Sequence, residues 1–94
     1  LTELNPTIKP YKQWEWSQTA DAQTDPAISI QLIDALHARW VTLASAMIDS
    51  DYQATFFHPE PSKTYTLGEA LQLYAWHGKH HTAQITWMRQ HYGW

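Results

Sequence analysis

The chain has 94 residues, no cysteine, and nine acidic against six basic side chains, for a net charge of −3. That size bounds it to one small domain without disulfides, so any metal site in it must use nitrogen and oxygen ligands. The mixed charge offers no basic footprint for nucleic acid, and no apolar run approaches the length of a membrane span.

Six tryptophans and five tyrosines are more than a coiled coil or a disordered chain carries, so this is globular sequence. No basic-then-apolar signal segment opens it. It starts Leu1-Thr2-Glu3-Leu4 without methionine, and an upstream segment would take any targeting signal with it.

Residues 1–25 hold Pro6, Pro10 and a polar tract from Ser17 to Asp25 with no sustained period, and read as a long connecting segment. Its apolar beads, Ile8, Tyr11, Trp14 and Trp16, suit draping over a larger body. Asp25-Pro26 marks a helix start, because aspartate caps free amides and proline fits the first turn. A helix is predicted over 26–50, with Ile33, Leu36, Trp40, Leu43 and Met47 forming one stripe. His37 lies at the edge of that stripe, either as a further ligand or bonded across a helix pair. Asp49-Ser50-Asp51 ends this helix or starts a short turn of another.

Residues 51–65 form a loop in which Thr55-Phe56-Phe57-His58 and Lys63-Thr64-Tyr65 flank Pro59-Glu60-Pro61-Ser62, the pattern of a small hairpin. His58, before proline, reads as structural. Thr66-Leu67-Gly68-Glu69 is a capping box that opens a second long helix over 66–92. Gly93 with Trp94 behind it suits a left-handed helix stop.

Three of the six histidines, His77, His80 and His81, stand within five positions of that last helix. Residues four apart on a helix share a face, with Cβ atoms about 6 Å from each other, so His77 and His81 can reach one ion. Wound at about 100° per residue, both fall near the middle of an apolar stripe shared with Ala70, Tyr74, Ile85 and Met88. They are expected to point inward, where a polar side chain needs a partner. His80 turns to the flank near Trp76 and Trp87. Spacing alone leaves two readings open: a metal pair, or core histidines bonded to backbone or tyrosine. Each helix also carries a stripe wider than one neighbour covers, and the natural completion is a four-helix bundle, in which metal sites are built from facing helices.

Pro6-Thr7-Ile8-Lys9-Pro10-Tyr11, Leu36-His37-Ala38-Arg39-Trp40, Phe57-His58-Pro59, Leu73-Tyr74-Ala75-Trp76-His77-Gly78-Lys79-His80-His81 and the closing Gly93-Trp94 stand in the order of a known family. Along essentially its whole length the chain resembles the YfiT type of the DinB-like superfamily. The resemblance implies an all-α fold, a four-helix bundle of which this chain supplies the last two long helices, a long N-terminal connection and a hairpin-like loop. It implies one divalent metal, nickel or zinc, held by three histidines. Two of these match His77 and His81, and the third belongs upstream of Leu1. It further implies a metal-dependent hydrolase acting on a small molecule, cytoplasmic and homodimeric, with bacillithiol-type thiol transferases among its relatives.

Three neutral imidazoles leave a position for water, whose pKa a zinc-like ion lowers to about 7, or for a thiol that it deprotonates. The ligand set does not choose between hydrolysis and thiol transfer. Gln84 shares the ligand face and can orient water or fix a ligand ring. Tyr74 can donate a proton to a leaving group, or simply pack with its hydroxyl anchored. His80 is a further acid–base candidate. The remaining alternative is a non-catalytic helical fragment that dimerises through its uncovered stripes and uses its histidines structurally. With one ligand missing, the chain alone is expected to be inactive and to bind metal weakly.

Overall fold

In the computed structural model, which describes residues 1–94, the elements run α1 (Gln13–Ser17), a 3-10 turn (Ala20–Gln23), α2 (Pro26–Ser45), α3 (Asp49–Tyr52), β1 (Thr55–His58), β2 (Lys63–Thr66) and α4 (Leu67–Tyr92). The two long helices begin where the caps place them. Asp25 accepts a hydrogen bond from the amide of Ala27 at 2.9 Å, with Pro26 in the first turn.

The helix expected over 26–50 stops instead at Ser45. Ile48 is extended, and the Asp51 carboxylate accepts from its amide at 3.0 Å, so a new helix start competes with continuation of the old one. The Tyr52 hydroxyl then donates to the Ala44 carbonyl at 2.8 Å, which satisfies one of the carbonyls left open at the end of α2 and closes a corner.

The corner leads into the two-stranded antiparallel hairpin, paired from Thr55↔Thr66 to His58↔Lys63. Phe56 lies opposite Tyr65 with ring centroids 5.8 Å apart, and the Lys63 ammonium sits 4.5 Å over the Tyr65 ring. The connection over 1–25 is more structured than its sequence suggests. It holds α1 and the 3-10 turn, and residues 6–8 run parallel to the free edge of β1. The Phe57 amide donates to the Pro6 carbonyl at 2.9 Å, and the Ile8 amide donates to the Phe57 carbonyl at 3.0 Å. Proline suits such an edge because its carbonyl accepts while its missing N–H is not required.

Thr66 and Glu69 close the expected capping box at the start of α4. The Glu69 amide donates to the Thr66 hydroxyl at 3.0 Å, and the Thr66 amide donates to the Glu69 carboxylate at 2.8 Å. At the far end Gly93 adopts φ 69°, and the Trp94 amide donates to the Arg89 carbonyl at 3.2 Å, a left-handed stop sealed across the last turn.

The hairpin and α3 pack on the beginning of α4, and α2 meets α4 where the Trp40 and Tyr74 rings stand edge to face at 5.1 Å. None of the 94 residues is buried. Leu36, Leu43, Trp76 and Trp87 are each more than half exposed. The radius of gyration is 16.6 Å, against about 12 Å for a closed domain of this length. Two helices with wide apolar faces thus lie open on the sides that a bundle would cover. No helix is long and apolar enough to cross a membrane.

Candidate metal centre

The unbroken α4 sets the geometry of the site. Four residues make slightly more than one turn, so His77 and His81 stand above one another, and their rings lean together with centroids 4.5 Å apart. The two Nε2 atoms approach to 2.7 Å, so one proton lies between them. On the other side of the second ring, the Nδ1 of His81 lies 2.9 Å from the carboxamide oxygen of Gln84. Since that oxygen can only accept, Nδ1 carries the proton and the Nε2 lone pair of His81 faces His77.

This donor arrangement fits a borderline divalent ion. Two imidazole nitrogens bound tetrahedrally, each about 2.0–2.1 Å from a zinc ion, stand about 3.3 Å apart. Metal binding needs the rings to part by only about 0.6 Å, a small torsional adjustment within one rotamer well, and His77 to carry its proton on Nδ1 instead of the Nε2 that donates to His81. No other histidine, aspartate or glutamate of the chain joins the pair to make a group of three. His37 on α2 and His58 at the hairpin therefore stand apart from it. The Nδ1 of His58 is enclosed without a hydrogen-bond partner, and its ring meets Tyr65 edge-on at 6.5 Å.

The sequence places the pair on an inward face, whereas in this chain both rings are exposed. The cause is the open architecture: the same stripe carries Tyr74 and Ile85, each 59% exposed, and α2 meets it at Tyr74 through Trp40 without covering the histidine pair. The other expected participants separate. Gln84 touches the pair directly. Tyr74, one turn before His77, spends its ring on Trp40 of α2. His80 stacks on Trp76 at 4.7 Å and 16°, on the flank of the helix, and its ring centroid lies 5.6 Å from that of its neighbour His81. A second such stack, Trp87 on His91 at 4.1 Å, follows three turns later along the same flank. The sequence analysis did not single out His91, although the Trp-x-x-x-His spacing repeats.

Two long helices with open apolar faces, a hairpin between them and a histidine pair on the last helix define part of a helical bundle. The model of the DinB superfamily matches residues 2–85, and the chain belongs to that family. It is 46% identical over 94 residues to a Bacillus mycoides protein named "Putative metal-dependent hydrolase", covering all of this chain and 54% of that protein. A Bacillus cereus protein of the same name is 47% identical with the same coverage. Among solved structures, YfiT from Bacillus subtilis, described as a probable metal-dependent hydrolase with an unusual four-helix bundle topology, superposes with a TM-score of 0.87 at 40% identity, covering 99% of this chain and 54% of that one. The chain thus spans about half the length of the relatives it matches, and its fold is part of the YfiT four-helix bundle.

Proposed function

We propose that this chain supplies two of the three histidine ligands of a divalent metal centre in a metal-dependent hydrolase. The convergence of the His77 and His81 Nε2 atoms at 2.7 Å carries the reading. Similarity to relatives named as metal-dependent hydrolases supports it. His77 and His81 would hold a nickel or zinc ion together with a third imidazole, and such an ion would supply Lewis acidity for polarising a substrate oxygen and acidifying water.

The chain's own residues do the remainder. His77 and His81 stand on adjacent turns of one helix, so their rings are brought to within a small adjustment of a shared ion before any ion arrives. The third histidine belongs to a part of the protein outside this chain and comes to the open face of α4. The wide apolar surface around the pair, with Ile85 and Met88 beside it, is the surface that such a segment covers, and covering it excludes bulk water from the site.

The test uses the intact protein. Metal content by mass spectrometry and turnover on ester and amide panels are measured for the parent and for His77→Ala and His81→Ala. Loss of both metal and turnover in each variant is expected, and unchanged metal content and turnover would sink the proposal. A thiol-conjugation assay on the same preparations separates hydrolysis from bacillithiol-type transfer, which the ligand set equally allows. Metal loss with a lowered melting temperature and no turnover in the parent would assign the ion a structural role instead.

A further inference from the structure

We propose that Gln84 is a positioning residue for the metal pair, holding His81 in the tautomer that leaves Nε2 free to bind metal. The inference rests on the reading of His77 and His81 as ligands and assigns what keeps one of them ready. A neutral imidazole carries one N–H, and the hydrogen bond made by one ring nitrogen decides which nitrogen keeps the proton. Gln84 lies three residues after His81, the spacing that brings side chains together on a helix surface, and its carboxamide oxygen sits 2.9 Å from Nδ1. An acceptor there fixes the proton on Nδ1 and orients the ring about its Cβ–Cγ bond. Both effects point Nε2 at the Nε2 of His77.

The pair is asymmetric in this respect: no side chain of the chain holds the Nδ1 of His77, so His81 is the fixed member and His77 the adjustable one. His80 cannot replace Gln84 in this role, because its ring is stacked on Trp76. Outer-sphere partners of this kind commonly alter metal affinity about 10–100-fold.

The experiment uses the intact protein with zinc as the probe and two readouts: zinc affinity by competition with a chromophoric chelator, and the tautomer of His81 in metal-free protein by long-range 1H–15N correlation. In Gln84→Met, which keeps the side-chain length and removes the acceptor, zinc binding is expected to weaken about 10–100-fold and the His81 proton to shift toward Nε2. Gln84→Glu keeps an acceptor oxygen at the same reach and is expected to retain the Nδ1–H tautomer and parent-like affinity. Gln84→Asn, one methylene shorter, gives the same comparison where Gln84→Met does not fold. If Gln84→Met binds zinc as tightly as the parent while His77→Ala does not, Gln84 has no positioning role and the metal reading stands. If His77→Ala itself binds zinc like the parent, the metal reading fails and this inference fails with it.

Discussion

Gly78 lies between His77 and His81, in the interior of a 26-residue helix, where glycine has no conformational task. A Cβ built at this position meets nothing within 4 Å, and the residue is not among those with positive φ. It sits on a flank of α4, one turn before Thr82, and the hydroxyls of Thr82 and Thr86 donate to the carbonyls of Gly78 and Thr82 at 2.9 Å each and so leave no donor waiting for a partner. Replacing Gly78 by alanine should therefore gain only the helix-propensity difference, about 0.5–1 kcal/mol, because the unfolded chain loses freedom and no contact changes. That corresponds to about a two- to fivefold increase in the folding equilibrium constant, or about 1–4 °C in melting temperature for a domain of the relatives' size. Urea unfolding of the intact protein reads it as a higher midpoint at unchanged slope. Zinc affinity should stay at the parent value, since a methyl group at this position meets neither imidazole. A destabilisation of about 1 kcal/mol or more would refute the reasoning, because it would mean that another segment presses on Gly78 and that this flank of α4 is an interface too.

Two further outcomes test the ends of the same helix. At its start, the hydrogen bond from the Thr66 amide holds the Glu69 carboxyl below its ordinary value, outweighing the opposing effect of desolvation, with Lys63 and the Thr66 hydroxyl making smaller contributions in the same direction. A depressed carboxylate pKa adds stability above the ordinary carboxylate range and loses it as pH falls through the folded-state value, so acid should unfold the parent more steeply in that window than Glu69→Gln, as followed by helical circular dichroism against pH. At its end, Gly93→Ala forces a side chain into φ 69° and should destabilise by about 1 kcal/mol; a neutral or stabilising result in urea unfolding would show that the left-handed stop does not form.

What could be read from the sequence was what the helix makes local. Capping box, glycine stop and the side-by-side histidines all depend on residues within four or five positions of each other, and the hairpin on residues within eleven, so their geometry follows from local turns. The flank position of His80 beside Trp76 came from the same winding. The end of α2 was less legible, because Ala46-Met47-Ile48 continues the apolar stripe while Asp51, several residues on, draws the Ile48 amide into a new helix start. The pairing of residues 6–8 with Phe57 was not legible, since it joins segments some fifty residues apart and nothing within 1–25 announces a strand. Gln84 was legible as a position on the face of His77 and His81. Which neighbour its oxygen meets needed coordinates.

The same distinction explains why the site is both well formed and exposed. Local helix geometry alone brings two nitrogens together, at a cost already met by the capping and propensity of α4, so the pair exists without its surroundings. A third ligand, a dry cavity and a buried apolar stripe are nonlocal, and each requires chain from outside these residues to lie along α4. If an ion ties that segment to His77 and His81, metal binding and closure of the bundle are one equilibrium, and the ion stabilises the closed form in proportion to its free concentration over its dissociation constant. The exposed faces of α2 and α4 then belong to the chemistry as much as the histidines do. They determine whether the metal works in water or in a pocket, and a centre that polarises oxygen has its largest effect where competing water has been removed.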